Sequence, residues 1–425
     1  MTIYEDLKWR DIIFQSSDSE AISELLAKPG QPLYCGFDPT AASLHIGSLL
    51  PLLTLRRFQL AGHKPIALVG GATGLIGDPS GKASERTLNT KEVVDEYVQG
   101  IRAQIERILD PSGSTGVQVV NNYDWFAPIT AIEFLRDVGK HFSVNKMIAK
   151  DSVSSRIERD EVGISYTEFS YMLLQAYDFY HLCKEFDCKL QVGGADQWGN
   201  MTAGIELVRR KLSQQAYCLT FPLVTNAAGQ KFGKSEAGAI WLDAERTSPY
   251  TLYQYFVNTD DRDVVKYLKF FTLLCHEEIE DLIHKVETEP ERREAQRKLA
   301  YEVTSIIHGG SEADKVVAAS QALFGDRSLA DTDPKTLLSA VESAPTLTYD
   351  SVDALPNAMQ LVVDSGLIAS KSEARRQISS GGVYINNERV SDIDFCPKAS
   401  DFIHGTLMLL RRGKKNYAVV RLKDK

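Results

Sequence analysis

The chain has 425 residues, 43% hydrophobic and 25% charged, which suits a globular protein with a substantial core and exceeds the usual size of one domain. No apolar run reaches the roughly 20 residues of a membrane span, and Met1-Thr2-Ile3-Tyr4-Glu5-Asp6-Leu7-Lys8 carries neither a secretion-signal core nor a transit pattern, so a cytoplasmic location is expected. The net charge of −9 is uneven: residues 357–425 hold 12 Lys and Arg against 7 Asp and Glu, a balance of +5 that leaves −14 on residues 1–356 and suggests a polyanion-binding tail on an acidic body.

In chain order, Leu33-Tyr34-Cys35-Gly36-Phe37 reads as a strand and Leu44–Gln59 as a helix. Pro65–Gly70 is a second buried strand, followed by a glycine-rich loop and a helix over about 90–109. Val117–Val120 and Lys189–Val192 are third and fourth strands, the last reached after a long helical insertion. Short apolar strands alternating with helices predict a parallel sheet covered on both faces, with ligands beyond the C-terminal strand ends. The expected organisation is a Rossmann-like α/β catalytic domain over 1–228 with a helical insertion near 125–165, a lysine loop over 229–248 and a helical domain over 249–325. Asp, Ser and Thr with prolines at 334, 345 and 356 read as a linker over 326–350, and 351–425 as a small α+β module. Six cysteines at 35, 183, 188, 218, 275 and 396 are too scattered for a disulfide scaffold. His181, Cys183 and Cys188 lie close together but lack a second ligand pair, so they read as helix residues with buried thiols and no metal is expected.

Three stretches carry chemistry. Tyr34-Cys35-Gly36-Phe37-Asp38-Pro39-Thr40, then Leu44-His45-Ile46-Gly47-Ser48, takes a strand through a turn into a helix start, where free N–H groups and the positive dipole end suit a phosphate. A lone histidine there is otherwise a cap. After the apolar strand Phe221-Pro222-Leu223-Val224, Lys231-Phe232-Gly233-Lys234-Ser235 sets two lysines about a glycine, fit to neutralise a leaving pyrophosphate or else to form a solvated hairpin. Tyr171, Gln175 and Asp178 recur at i, i+4 and i+7, a polar stripe on an apolar helix whose start Ser165 and Glu168 mark as a capping box. Such a stripe needs a partner, either a ligand or a neighbouring helix.

In order and spacing these segments resemble the two signature motifs of class I aminoacyl-tRNA synthetases, His-Ile-Gly-His and Lys-Met-Ser-Lys-Ser, in variants similar to the tyrosyl-specific enzymes of bacteria. Gly70-Gly71-Ala72-Thr73-Gly74-Leu75-Ile76-Gly77-Asp78-Pro79, Gly139–Asn145 and Gly193-Gly194-Ala195-Asp196-Gln197-Trp198-Gly199-Asn200 extend the resemblance over essentially the whole chain. It implies that Tyr34 and Asp178 hold a tyrosine phenol, that Tyr171, Gln175 and Asp78 hold its α-ammonium, and that Gln197 orients it. A site built to bond a substrate hydroxyl leaves polar groups unpaired with phenylalanine, the known basis of selectivity in this family. The resemblance further implies that ATP, accompanied by Mg2+ and with no protein metal cage, meets Gly36, Asp38, Thr40, His45, Gly47, Ser48, Gly194, Asp196 and Lys234. Thr40, His45, Lys82, Arg86, Lys231 and Lys234 would act on the reacting phosphates. Lys82 and Arg86 are otherwise surface charge, and Asp196 a turn cap.

Ser370–Ile378 and Gly382–Val390 resemble the S4 RNA-binding fold, so Arg375, Arg376, Arg411, Arg412, Lys414 and Lys415 would face tRNA phosphates. The family is homodimeric, and the 125–165 insertion is the expected interface. One departure is Ser48, which stands where the signature has its second histidine and keeps a hydroxyl donor with less reach. Three alternatives follow: an RNA-binding paralogue without activity; a nucleotidyltransferase with a similar histidine motif, which would lack Lys231–Ser235 and the RNA module; and a tryptophanyl enzyme, against whose indole the set Tyr34, Tyr171 and Asp178 would have no purpose.

Overall fold

A computed structural model describes residues 1–80, 88–150, 153–154, 157, 163–230, 232–235, 238–324, 328–342, 344–413 and 416–423, with only the backbone of Lys234, Ser235 and Phe324. Lys82, Arg86, Lys231, Lys414 and Lys415 lie outside the described residues. The chain divides into two compact units, Met1–Thr247 with Val257–Val303, and Ser248–Phe256 with Thr304–Lys425.

In the first unit, β1 (Gln15–Ser16), β2 (Pro32–Phe37), β3 (Lys64–Val69), β4 (Gln118–Asn121), β5 (Leu190–Gly194) and β6 (Tyr217–Phe221) form one sheet in the order β1-β6-β5-β2-β3-β4. All neighbours are parallel except β1, an antiparallel edge on β6. In β3, Pro65 to Val69 are buried without alternation, as a strand covered on both faces must be. The helix Lys91–Ile108 buries Val94, Val98, Ile101, Ile105 and Ile108, one stripe at helical spacing. The helix Tyr166–Phe186 starts where Ser165 Oγ accepts the Glu168 N–H at 3.3 Å and ends at Asp187, which is left-handed at φ 51°. It packs tightly on the helix Trp198–Leu212: a Cβ on Gly204 would come 2.9 Å from Phe179 Cδ1, so only glycine allows this approach.

Two elements differ from their sequence-based expectations. The last strand of this sheet in sequence is Tyr217–Phe221 and not Phe221–Val224, since Pro222 has no N–H to extend the ladder. The helix expected from Leu44 begins at Leu49, after a 3-10 turn at Ile46–Ser48.

The second unit contains a sheet of β9 (Thr346–Tyr349), β10 (Val383–Ile385), β11 (Glu388–Arg389), β12 (Leu407–Arg412) and β13 (Asn416–Leu422), in the order β11-β10-β12-β13-β9. The helices Ala358–Asp364 and Lys371–Ser379 supply Leu361, Val362, Ala374 and Ile378 to a core shared with Val383, Met408, Leu410 and Val420. The stretch read as a linker is structured. Asp333 caps the helix Pro334–Ala340 by accepting the Thr336 N–H at 2.9 Å, and β9 pairs in parallel with β13 while Leu347 and Tyr349 pack on the core. Among the described residues no helix is long and apolar enough to cross a membrane.

Candidate active site

The chemistry-bearing residues gather beyond the C-terminal ends of β2, β3, β4 and β5, where an open parallel sheet takes its ligand. Tyr34, on β2, is 1% exposed, and its hydroxyl is buried without a partner. Its ring meets Phe179 edge-on at 5.3 Å. Burial, then the charge of Asp178, pushes its pKa well above the usual tyrosine value. Asp178 is itself buried, accepting Trp125 Nε1 on Oδ1 at 2.9 Å and Asn122 Nδ2 on Oδ2 at 3.2 Å. Burial raises its pKa well above the carboxylate range against the pull of those two donors, with Asp38 adding to the rise. Gln191, in register with Tyr34 on β5, is a further buried polar group whose Oε1 has no partner.

A second cluster adjoins the first. Asp38 accepts the Tyr171 hydroxyl at 2.6 Å and the Thr73 hydroxyl at 2.7 Å, and Asn122 Nδ2 donates to Thr73 Oγ1 at 3.0 Å. Asp78 accepts Gln197 Nε2 at 2.7 Å and the Ser80 N–H at 3.0 Å. Asn200 ties Gln175 Oε1 to Gln197 Oε1, at 2.9 and 3.3 Å. Burial and then the charges of Asp38, Asp78 and Asp178 raise the pKa of Tyr171 well above its ordinary value, so one buried phenol stands in the field of three carboxylates. Tyr34, Asp38, Asp78, Tyr171, Gln175, Asp178 and Gln197 are thus brought together. Asn122, Trp125, Thr73, Gln191 and Asn200 were not singled out as site residues, although Thr73 and Asn200 lie in the segments that carry the resemblance and Asn122 directly follows β4.

At the other end, His45 caps the 3-10 turn, its Nδ1 accepting the Gly47 N–H at 3.0 Å. A Cβ on Gly47 would sit 2.7 Å from the imidazole, so the ring lies over bare backbone. Ser48 makes no side-chain cap bond to the following helix, and Thr40 is exposed with its N–H on the Asp38 carbonyl at 2.9 Å. A Cβ on Gly36 would meet nothing within 4 Å, whereas one on Gly194 would lie 2.5 Å from Asp196 Oδ1 and 3.9 Å from Leu223, itself 59% exposed. Cys35 beside Gly36 is an inert thiol, pushed up to about 12 by burial.

The two motif segments are stitched together by backbone. Ile46 N–H donates to Ile240 O at 2.9 Å, Leu242 N–H to Leu44 O at 2.9 Å and Ile240 N–H to Gly233 O at 3.1 Å. β7 (Lys234–Ser235) and β8 (Gly238–Ala239) close this hairpin. Gly233 is left-handed at φ +85°, and Ile46 leaves no room for a side chain there. Phe232 is buried, stacked on Phe271 at 4.7 Å and edge-on to Tyr267 at 4.9 Å. The segment is therefore anchored, unlike a freely solvated hairpin. His181 stacks on Trp125 at 4.4 Å, and Cys183 and Cys188 are buried, Cys183 on the helix Tyr166–Phe186 as expected but Cys188 beyond its end.

In the second unit, Arg375 and Arg376 are exposed on the helix Lys371–Ser379. Arg411 lies over the Tyr384 ring at 4.0 Å and donates to Gly413 O at 2.9 Å. Arg412 turns inward, donating to Leu367 O at 3.0 Å and Glu373 Oε1 at 2.8 Å, and so packs the module.

A parallel sheet with a histidine turn beyond one strand, hydrogen-bonded to a Gly-Lys hairpin, is the architecture of the class I tRNA synthetases, and the family model described as tRNA synthetases class I (W and Y) matches residues 30–325. The tyrosine–tRNA ligase 1 of Bacillus subtilis (strain 168) is 54% identical over 426 residues, 99% of each chain, and the tyrosine–tRNA ligase of Geobacillus stearothermophilus is 50% identical over 424 residues, 99% of this chain and 100% of its own. The chain belongs to the tyrosine–tRNA ligase family. The family model for the tyrosine–tRNA ligase SYY-like C-terminal domain matches residues 337–420. A C-terminally truncated mitochondrial tyrosyl-tRNA synthetase of Aspergillus nidulans superposes with TM-score 0.70 at 32% identity, over 76% of this chain and 94% of that one. A tryptophanyl-tRNA synthetase of Encephalitozoon cuniculi shares the fold at TM-score 0.55 and 15% identity, over 74% of this chain.

Proposed function

We propose that this chain activates L-tyrosine with ATP and transfers it to tRNA(Tyr). The carrying observation is the buried Tyr34 hydroxyl without a partner, in the field of an Asp178 carboxylate fixed by two donors. An incoming phenol completes both groups. In the adjoining cluster, Tyr171, Gln175 and Asp78 receive the α-ammonium in the field of three carboxylates, and Gln197, held by Asp78 and Asn200, orients the carboxylate. That carboxylate attacks the α-phosphorus of ATP, forming the acyl phosphate bond as the bond to pyrophosphate breaks. The terminal ribose hydroxyl of tRNA then attacks the acyl carbon and AMP leaves. Positioning and electrostatic stabilisation suffice, without a protein nucleophile.

ATP lies along Gly36, Asp38, Thr40, His45, Gly47 and Ser48, with its ribose at Gly194 and Asp196. Lys82, Arg86, Lys231 and Lys234 meet the phosphates, and Mg2+ accompanies them. In this reading the catalytic domain spans 1–228 with the lysine loop over 229–248, and Arg375, Arg376, Arg411, Lys414 and Lys415 face tRNA, with Arg412 a structural neighbour. The protein is a cytoplasmic homodimer, and exposed Ile132, Leu135, Val144, Ile148 and Tyr166, all within or beside the 125–165 insertion, supply the apolar surface that a partner subunit covers. ATP–pyrophosphate exchange tests the reading: tyrosine drives it, and phenylalanine and tryptophan drive it poorly. Exchange driven by tryptophan, or by no amino acid, overturns it.

A further inference from the structure

The helix Asp261–Phe271 is the surface on which Phe232 rests, and its C-terminal end is held from outside by two arginines. Arg57, in the last turn of the helix Leu49–Leu60, donates through Nη2 to the carbonyls of Lys269, Phe270 and Thr272 at 3.1, 2.9 and 2.7 Å. Arg10 donates to Leu274 O at 2.7 Å and Lys269 O at 3.4 Å, while Asp6 accepts its Nε–H at 2.9 and 3.0 Å. These carbonyls include the orphan acceptors that a helix leaves at its C-terminus, where a cation also meets the negative end of the dipole.

Arg57 is expensive to hold. It is 5% exposed, has no ion pair among the described residues, and keeps Nε and Nη1 buried without partners. Burial, with Arg10 beside it, pushes its pKa down to about 9. Removing such a cation from water is unfavourable unless the groups it meets are themselves demanding, as converging carbonyls are.

Both helices lead to the chemistry. Leu49–Leu60 follows directly on His45-Ile46-Gly47-Ser48. Asp261–Phe271 presents Tyr267 and Phe271 to Phe232, accepts the Ala227 N–H on Asp263 at 2.7 Å, and sends Lys266 Nζ to Thr225 O at 2.7 Å. One guanidinium thus joins the helix behind the histidine turn to the helix beneath the Phe232–Ser235 segment.

We propose that Arg57 is a positioning residue for amino-acid activation, pinning the end of Asp261–Phe271 so that Phe232 holds the Gly-Lys hairpin against His45-Ile46-Gly47. The proposal rests on the reading of this site as one that activates tyrosine, and one arm of its test is independent of activity. Arg57→Met keeps the apolar stem and removes the donors; Arg57→Lys restores a charge. In the full chain, amide hydrogen exchange at Phe232 and Ile240 quickens ~10-fold or more in Arg57→Met, while Val192 in β5 is unchanged. Tyrosine-dependent ATP–pyrophosphate exchange, normalised to active sites, loses ~10-fold or more in kcat with KM for tyrosine within about twofold, and Arg57→Lys recovers part of it. Adding Phe232→Leu to Arg57→Met costs no more than the larger single loss, because both act on one device. Unchanged protection at Phe232 and Ile240 overturns the positioning role whatever the activity. Quickened exchange with unchanged kcat overturns its link to catalysis, as does an additive double variant. Wild-type protein that tyrosine fails to drive overturns the functional reading instead, leaving hydrogen exchange to decide the positioning role. If Arg57→Met does not fold, Arg57→Lys carries the same comparisons at smaller amplitude.

Discussion

Burial holds the pKa of Asp178 well above the carboxylate range, and in the proposed reading this group accepts a substrate phenol. In that reading, replacing Asp178 with alanine removes the partner of the substrate phenol; it also leaves Trp125 Nε1 without its acceptor, while Asn122 Nδ2 keeps Thr73 Oγ1. Tyrosine activation should fall by the equivalent of ~1–3 kcal/mol per unmade buried bond, and phenylalanine activation much less. Equal losses for the two amino acids, by pyrophosphate exchange on folded protein, would contradict the assignment. The raised pKa has a second consequence. The folded state binds this proton more tightly than the unfolded chain, so as pH rises from the ordinary carboxylate range through the raised value, Asp178 subtracts stability. Asp178→Asn removes that slope, and urea unfolding across this window should show a flatter dependence on pH than wild type. The stripe Tyr171, Gln175 and Asp178 was legible because helical periodicity is local. Asn122 and Trp125, 56 and 53 residues from Asp178, were not, because nothing in their own neighbourhood says that a carboxylate will fold against them.

At the scale of elements, the Lys231–Ser235 stretch was legible as a pair of lysines about a glycine, but the anchoring of Phe232 and Gly233 was not. Phe232 reads as one apolar residue in a polar loop until Tyr267 and Phe271 arrive from a helix more than thirty residues later. With Phe232 and Gly233 held, the lysines of this stretch should act on charge that develops during reaction and contribute little to holding ground-state ATP. Lys231→Ala and Lys234→Ala should each slow adenylate formation by ~10²-fold or more with little change in ATP affinity. Quenched-flow measurement at saturating tyrosine checks this, and weak ATP binding with normal turnover at saturation would refute it. The same distance effect explains the missed β9. Thr346–Tyr349 alternates like a strand, yet the neighbouring Asp, Ser and Pro suggested a linker, and its partner strand β13 lies about seventy residues on.

At the scale of the molecule, the charge split between residues 1–356 and 357–425 leads the proposed reading to place tRNA binding on the C-terminal part, apart from adenylate formation. A stop after Tyr349 would leave β9 without β13, so a better cut falls after Phe324, which keeps Ser320 Oγ with Gln254 Nε2 at 3.1 Å. That protein should still form tyrosyl adenylate, while tRNA charging drops and its dependence on salt flattens with the loss of phosphate contacts. Charging equal to the full chain across a salt series would mean that the basic module does not serve tRNA. The order of strands in that module also constrains how the protein is made. β13, the last strand along the chain, lies between β12 and β9 in the interior of the sheet. On the ribosome, β9 therefore waits for a neighbour synthesised about seventy residues after it, and Ser248–Phe256, which belongs to this unit, waits longer still. The six-stranded sheet of the first unit is complete in sequence by Phe221, so it can begin to assemble during translation, whereas the second unit cannot close its sheet until the stretch through Leu422 has emerged.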